Sequence, residues 1–168
     1  EIRELSLEDN AFIKPIRPAK KLLAFGDSIT QGYDALRPSG RYAARLAEAL
    51  DAEEINKGIG GERFFPALAE SRDDFDPDYI TVAYGTNDWN KTGEEDFKER
   101  CYAFYDALNR NYPNARIFAI TPIWRKDHEK ETAFGDFFKV KEDIENIVGN
   151  FKNITCIDGY DFIPQDEN

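Results

Sequence analysis

Leu22-Leu23-Ala24-Phe25-Gly26-Asp27-Ser28-Ile29-Thr30-Gln31-Gly32 is the stretch that decides how this chain is read. A short apolar run ends abruptly in Gly-Asp-Ser, and a helix-like pattern follows about ten residues later. The run reads as a buried strand, with the glycine as a sharp exit at its carboxyl end. In open α/β sheets, ligands bind beyond that end. Ser28 is therefore placed where a nucleophile could meet a substrate, and the question for the rest of the chain is what could activate it.

Further along, Pro38-Ser39-Gly40 supplies a helix-start signal, and Tyr42, Ala43, Leu46, Ala47 and Leu50 repeat at helical spacing. A short strand is expected at Glu53–Asn56, feeding the glycine-rich loop Asn56-Lys57-Gly58-Ile59-Gly60-Gly61. A helix is expected over Arg63–Glu70, a turn at Asp76-Pro77-Asp78, and a buried strand over Tyr79–Tyr84 that stops at Gly85-Thr86-Asn87-Asp88. Between Gly93 and Tyr112, the residues Phe97, Cys101, Phe104, Tyr105 and Leu108 fall on one helical face, and Glu94, Glu95 and Asp96 suit the first turn. Ala115–Thr121 reads as the next strand and Trp124–Thr132 as a charged loop or lid. Helical spacing resumes from Phe134 to Phe151, and Asn153–Ile157 is a fifth strand ending at Asp158-Gly159. Alternating strands and helices predict a three-layer α/β/α sandwich on a mainly parallel five-stranded sheet. Residues 1–20 have no sustained period and read as a lead-in or linker from a preceding domain, with a short strand in the alternation of Ile2–Leu7.

A chain of 168 residues, 41% hydrophobic, is long enough for one domain with a substantial core. No apolar run approaches the roughly 18–20 residues that span a bilayer, so no membrane partner is expected. The start lacks a signal-peptide pattern, which slightly favours a cytoplasmic setting. The formal charge of −11 argues against nucleic acid and anionic membranes, because phosphate backbones reward Lys and Arg. A neutral or cationic small molecule is compatible. Cys101 and Cys156 are too few and too far apart for a disulfide framework or a metal cluster, and read as two buried thiols. The chain contains no Met and one histidine, His128.

The first three strand exits carry Gly26-Asp27-Ser28, Asn56 through Gly61, and Gly85-Thr86-Asn87-Asp88. In a parallel sheet these exits share one edge. Acyl transfer needs a nucleophile and donors aimed at the oxyanion of a tetrahedral intermediate. A hydroxyl, a backbone N–H bared by glycine and an asparagine amide form a sufficient set. In order and spacing, these three blocks resemble the first three signature blocks of the SGNH (GDSL) hydrolase family, and the resemblance runs from about residue 21 to the end. It implies a flavodoxin-like sheet of order 2-1-3-4-5 and esterase or acylhydrolase activity on a small-molecule ester, without cofactor or metal. By position it makes Ser28 the nucleophile, and makes the Ser28 N–H, the Gly61 N–H and the Asn87 side-chain amide the oxyanion donors.

The family's remaining block is Asp-x-x-His after the fifth strand, which supplies the base and its orienting carboxylate. The residues after Asp158 do not contain it, nor the helix that would follow, so residues 21–168 read as a hydrolase domain stopped short of its last block. Loss of one triad member costs several powers of ten in rate, so the polypeptide as written is expected to be nearly inert. His128, between Asp127 and Glu129 on the lid, reads first as a solvated surface residue and second as a substitute base or substrate contact. Asp27 and Asp88 read as structural carboxylates accepting backbone N–H bonds beside the pocket. Asp158 reads as a turn residue with Gly159. Tyr33, Trp89 and Trp124 follow strand exits and read either as pocket walls suited to sugar rings or as core. A non-catalytic ligand-binding domain, carbohydrate being the favoured ligand, is the competing reading. A flavodoxin-like anion binder, with phosphate at the helix after Ser28, ranks last.

Overall fold

The computed structural model describes residues 4, 6–15, 17–72 and 74–165. Among the described residues five strands, β1 (Lys20–Gly26), β2 (Ala52–Gly58), β3 (Tyr79–Ala83), β4 (Arg116–Ile120) and β5 (Ile154–Ile157), are interleaved with six α-helices. The helices are α1 (Ser28–Gln31), α2 (Tyr42–Ala49), α3 (Pro66–Glu70), α4 (Thr86–Lys91), α5 (Glu94–Asn111) and α6 (Phe138–Val148). The strands form one sheet in the order β2-β1-β3-β4-β5, with each adjacent pair parallel. The expected α/β class and strand order are therefore the observed ones.

The first three strands finish level with one another. Gly26 pairs with Gly58 on one side and with Ala83 on the other. Parallel pairing thus brings three distant stretches to a common edge, as anticipated for a sheet of this kind. The two glycines there are explained by close approach. A Cβ on Gly26 would lie 2.0 Å from the Thr30 hydroxyl oxygen, and one on Gly58 would lie 2.3 Å from the Gln31 backbone nitrogen. The first turn after β1 therefore folds back directly over two strand ends.

Leu23, Phe25, Ile80, Val82, Ile117 and Ala119 point to one face and meet the apolar faces of α3, α5 and α6. Phe104 stands edge-on to Phe25 at 5.4 Å, and Phe64 stands edge-on to Phe97 and Phe104 at 5.6 Å each. Such pairs add about 0.5–1.5 kcal/mol each beyond the area they bury. The other face carries Leu22, Tyr79, Thr81, Phe118, Ile120 and Ile157. Together with Tyr42, Leu46 and Leu50 of the α2 region it lines an apolar cavity of about 640 Å³.

Several boundaries differ from the sequence reading. β2 runs 52–58 rather than 53–56. The helix expected from Arg63 starts at Pro66, which suits a first helical position, while Phe65 ahead of it is extended. Pro38–Gly40 is a separate 3-10 turn, and the residue capping α2 is Arg41, whose side chain makes no cap bond. The last long helix starts at Phe138, whose N–H is taken by Asp136 Oδ1 at 2.9 Å, so Phe134 and Phe137 enter the core from the preceding loop. The helix α4, inside the third block, had no counterpart in the sequence reading. Cys101 is buried as expected, but Cys156 is only half-buried. No strand occurs among the described residues before Lys20; Ile2, Arg3 and Leu5 of the expected Ile2–Leu7 strand lie outside the described residues.

Candidate active site

Ser28 opens α1, half-buried, immediately beyond β1. The turn that presents it is held by Asp27. Its Oδ1 accepts the Ile29 N–H at 2.9 Å and caps the helix. Asp27 is 2% exposed, and burial pushes its carboxyl above the ordinary range while the Ile29 N–H pulls it back. The second Asp27 oxygen reaches the third block, accepting from Asn87 Nδ2 at 3.2 Å.

The glycine-rich loop is fastened to the same turn. Asn56 Nδ2 donates to the Thr30 carbonyl at 2.7 Å and its Oδ1 accepts the Gly58 N–H at 2.8 Å. The Ile59 N–H donates to the Gly26 carbonyl at 3.0 Å. Gly61 sits at φ +76, a left-handed conformation that favours glycine. Its carbonyl accepts from Lys91 Nζ at 3.2 Å. Among the described residues, neither the Ser28 N–H nor the Gly61 N–H donates a hydrogen bond to the protein. Two backbone donors thus stand free at the strand edge.

Asn87 lies in the first turn of α4. Besides Asp27, its Nδ2 donates to the Glu62 carbonyl at 3.1 Å. The amide therefore bridges the exits of β1 and β3 and the glycine loop. Asp88, beside it, points inward. Its two oxygens accept the Phe64 N–H at 3.2 Å and the Gly85 N–H at 3.1 Å, and burial pushes its pKa up to about 6. Asp27 and Asp88 both act here as acceptors of backbone N–H groups. Asp158 accepts from the Tyr160 N–H at 3.1 Å and is also paired with Lys141.

The remaining candidates part company with this group. Trp89 is fully buried, donates from Nε1 to the Gly135 carbonyl at 2.8 Å and packs edge-on against Phe137, so it is core and not a pocket wall. Tyr33 is 75% exposed on the loop after α1. Trp124 and His128 face each other on the lid, with ring centres 6.2 Å apart. His128 is half-buried among Trp124, Phe138 and Tyr160 rather than solvated, and its Nδ1 bonds the Arg125 carbonyl at 3.0 Å. Among the described residues no hydrogen bond joins it to Ser28. Nor does any cluster of His, Cys, Asp and Glu there have the makings of a metal site. The described residues form no helix long and apolar enough to cross a membrane.

Sequence reasoning missed Glu62, Lys91 and Arg125. Glu62 contributes a backbone carbonyl, which no side-chain pattern announces. Arg125 donates to the Thr86 carbonyl from within a densely charged run where one arginine carries no distinguishing signal.

Residues 24–168 match the sequence profile of the GDSL-like Lipase/Acylhydrolase family. No curated protein sequence matches the chain. Among solved structures, the chain is similar to a possible lipase from Chitinophaga pinensis DSM 2588, with TM-score 0.67 and 23% identity over 84% of this chain and 68% of that one. It is also similar to an acetyl xylan esterase from the rumen bacterium Butyrivibrio proteoclasticus, with TM-score 0.68 and 19% identity over 90% and 58% of the two chains. A family two carbohydrate esterase from Clostridium thermocellum, in complex with cellohexaose, gives TM-score 0.68 and 18% identity over 91% and 61%. At these identities the likeness is one of fold. The chain spans less than two thirds of the length of both carbohydrate esterases.

Proposed function

The chain belongs to the GDSL-like lipase/acylhydrolase family, and from that premise we propose a serine esterase that releases small acyl groups, such as acetyl, from esters of carbohydrates or other small alcohols. One observation carries the reading. Two unengaged backbone N–H groups, at Ser28 and Gly61, share the strand edge with a side-chain amide that Asp27 and Glu62 hold in place. That is the donor set an acyl-transfer oxyanion requires.

In this mechanism Ser28 Oγ attacks the ester carbonyl carbon and its proton passes to a base. The carbonyl oxygen becomes an oxyanion held by the Ser28 and Gly61 N–H groups and by Asn87. The alcohol leaves with the proton, and water then attacks the acyl-serine to release the acid and restore Ser28. The base belongs to the Asp-x-x-His block that the family resemblance implies and residues 1–168 do not contain. Asn87 enters by exchange. Its bond to the neutral Glu62 carbonyl gives way to one with a charged oxygen, roughly twice as strong. The exchange is favourable once charge develops, so Asn87 acts on the transition state more than on the substrate. Acetyl and carbohydrate specificity draw support from the carbohydrate esterases that share the fold and from a net charge of −11, which suits a neutral alcohol.

The test is hydrolysis of p-nitrophenyl acetate by the intact gene product beside its Ser28→Ala variant. Turnover in the parent with loss in the variant is expected, and equal turnover overturns the assignment. A carbohydrate-binding domain without hydrolysis is the second reading, favoured by the engagement of His128 with the Arg125 carbonyl and the Tyr160 ring and by the lack of any hydrogen bond to Ser28 among the described residues. It predicts oligosaccharide binding by calorimetry with no acid released by the intact gene product.

A further inference from the structure

The Arg125 guanidinium reaches across the outer side of α4. Its Nη1 donates to the Thr86 carbonyl at 3.1 Å and lies 3.4 Å from the Thr86 hydroxyl. Nη2 donates to Asp127 Oδ2 at 2.9 Å, and Nε donates to the other oxygen of that carboxylate. The group lies 5.0 Å from the Trp89 ring centre. The Asn90 side-chain oxygen, in the orientation that satisfies its neighbours, accepts from Nη1 and Nη2 at 3.1 Å each. Arg125 thus holds the start, the middle and the next residue of α4 while closing the lid turn onto its own Asp127.

We propose that Arg125 is a positioning residue that sets the aim of Asn87, so that seating of the lid segment 124–132 and assembly of the oxyanion site are a single event. The inference rests on the reading of Asn87 given above. α4 has six residues, far fewer than an isolated helix needs to hold its shape. Its cap, Gly85, has no side chain to offer. Its orientation is therefore set by tertiary contacts. Asp88 ties it on the inner side through the Gly85 and Phe64 N–H groups. Arg125 ties it on the lid side at Thr86, one residue ahead of Asn87. Lysine cannot replace that grip, because a point-like ammonium cannot bond the carbonyl and chelate a carboxylate in one plane. A displacement of about 1 Å in a catalytic group costs on the order of 100-fold in rate. Without Arg125 on Thr86, the first turn of α4 keeps only its inner tie through Asp88.

The test is a double-mutant cycle in the intact gene product, with p-nitrophenyl acetate as substrate. Arg125→Ala is expected to lower kcat by roughly 10–100-fold with KM changed less than about two-fold, since the lost interaction belongs to the transition state. Arg125→Lys is expected not to restore it. In the Asn87→Ala background, Arg125→Ala is expected to change kcat less than about two-fold, because the group it positions is gone. An equal fold-loss in both backgrounds overturns the proposal in favour of a purely structural role. A second measurement does not depend on catalysis. In residues 1–168, Arg125→Ala is expected to shift the Asn87 side-chain amide resonances in a 15N spectrum that otherwise stays folded. An unchanged Asn87 pair overturns the link even when Asn87→Ala lowers kcat. Full activity in Asn87→Ala, with the amide shift present, overturns the oxyanion reading and leaves the mechanical link standing.

Discussion

Asn87 Nδ2 donates to Asp27 Oδ2 at 3.2 Å, a bond between residues 60 positions apart in sequence. It joins the turn that presents Ser28 to the helix that presents the amide, so neither can shift without the other. The same carboxylate caps α1 through Ile29. Asp27→Asn separates the two duties. The new side chain keeps an oxygen for the Ile29 N–H but turns its NH2 toward the Asn87 NH2. Stability is expected to fall by less than about 1 kcal/mol because the cap survives. Yet kcat of the intact gene product is expected to fall about as far as in Asn87→Ala, as Asn87 flips to offer oxygen instead of a donor. Urea midpoints and steady-state kinetics on both variants check this.

Asp88 gives a pH signature. Its carboxyl titrates near 6 when folded and near 3.8 when unfolded, with burial the main cause. Between those values the folded state binds more protons, so the contribution of Asp88 to stability declines as pH rises from about 4 to about 6 and is flat above. Asp88→Asn removes the titration. The stability advantage of the parent over this variant is expected to shrink across that interval, as measured by urea midpoints at pH 4, 5, 6 and 7. A constant difference would show that Asp88 titrates normally in the folded protein.

Two glycines separate space from conformation. At Gly58 a Cβ would sit 2.3 Å from the Gln31 nitrogen, so Gly58→Ala must push α1 away from β2. At Gly61 the nearest atom to a Cβ is Lys91 Nζ at 3.6 Å, and the obstacle is φ alone. Gly61→Ala is expected to cost about 1–2 kcal/mol, the usual penalty for a left-handed alanine. Gly58→Ala is expected to cost more, about 3 kcal/mol, because overpacking against backbone has no flexible atom to yield. Thermal or urea unfolding of the two variants gives the ranking.

Phe104 tests the core independently of the site. It is fully buried and packs edge-on against Phe25, Phe64 and Tyr84. Phe104→Ala is expected to destabilise by about 3–5 kcal/mol at an unchanged denaturant slope. A loss below about 1 kcal/mol would mean that the core collapses around the gap far more readily than close packing allows.

β1, β3, β4 and β5 were legible because each carries a nearly unbroken apolar run ending in glycine or a polar turn, and α5 because five apolar residues recur on one face. β2, Ala-Glu-Glu-Ile-Asn-Lys-Gly, has no such run, and its extent was read short at both ends. α4 was not legible. Thr86–Lys91 has no apolar stripe, and its helix exists because Asp88 and Arg125 hold its backbone from two sides. Trp89, which follows a strand exit, read equally as a pocket wall or as core. The tertiary fold turns its indole inward to the Gly135 carbonyl, and aromatic identity alone contains no direction. His128 looked solvated in its charged run, but three aromatic rings from separate segments close around it.

By itself, the sequence of this chain determined the sheet, its order and the edge at which Ser28, Gly61 and Asn87 meet. The strands follow from hydrophobic runs and the turns at their ends, which are local in the chain, while the order 2-1-3-4-5 and the meeting of those three residues follow from the resemblance of the three blocks to the SGNH hydrolase family. Tertiary structure alone decided which donors are free. Among the described residues the Ser28 and Gly61 N–H groups have no protein acceptor, while Asn87 is held by Asp27 and Glu62, with Arg125 gripping its helix from the lid. Hydrogen-bond partners drawn from segments tens of residues apart are settled by packing, and no spacing rule along the chain encodes them.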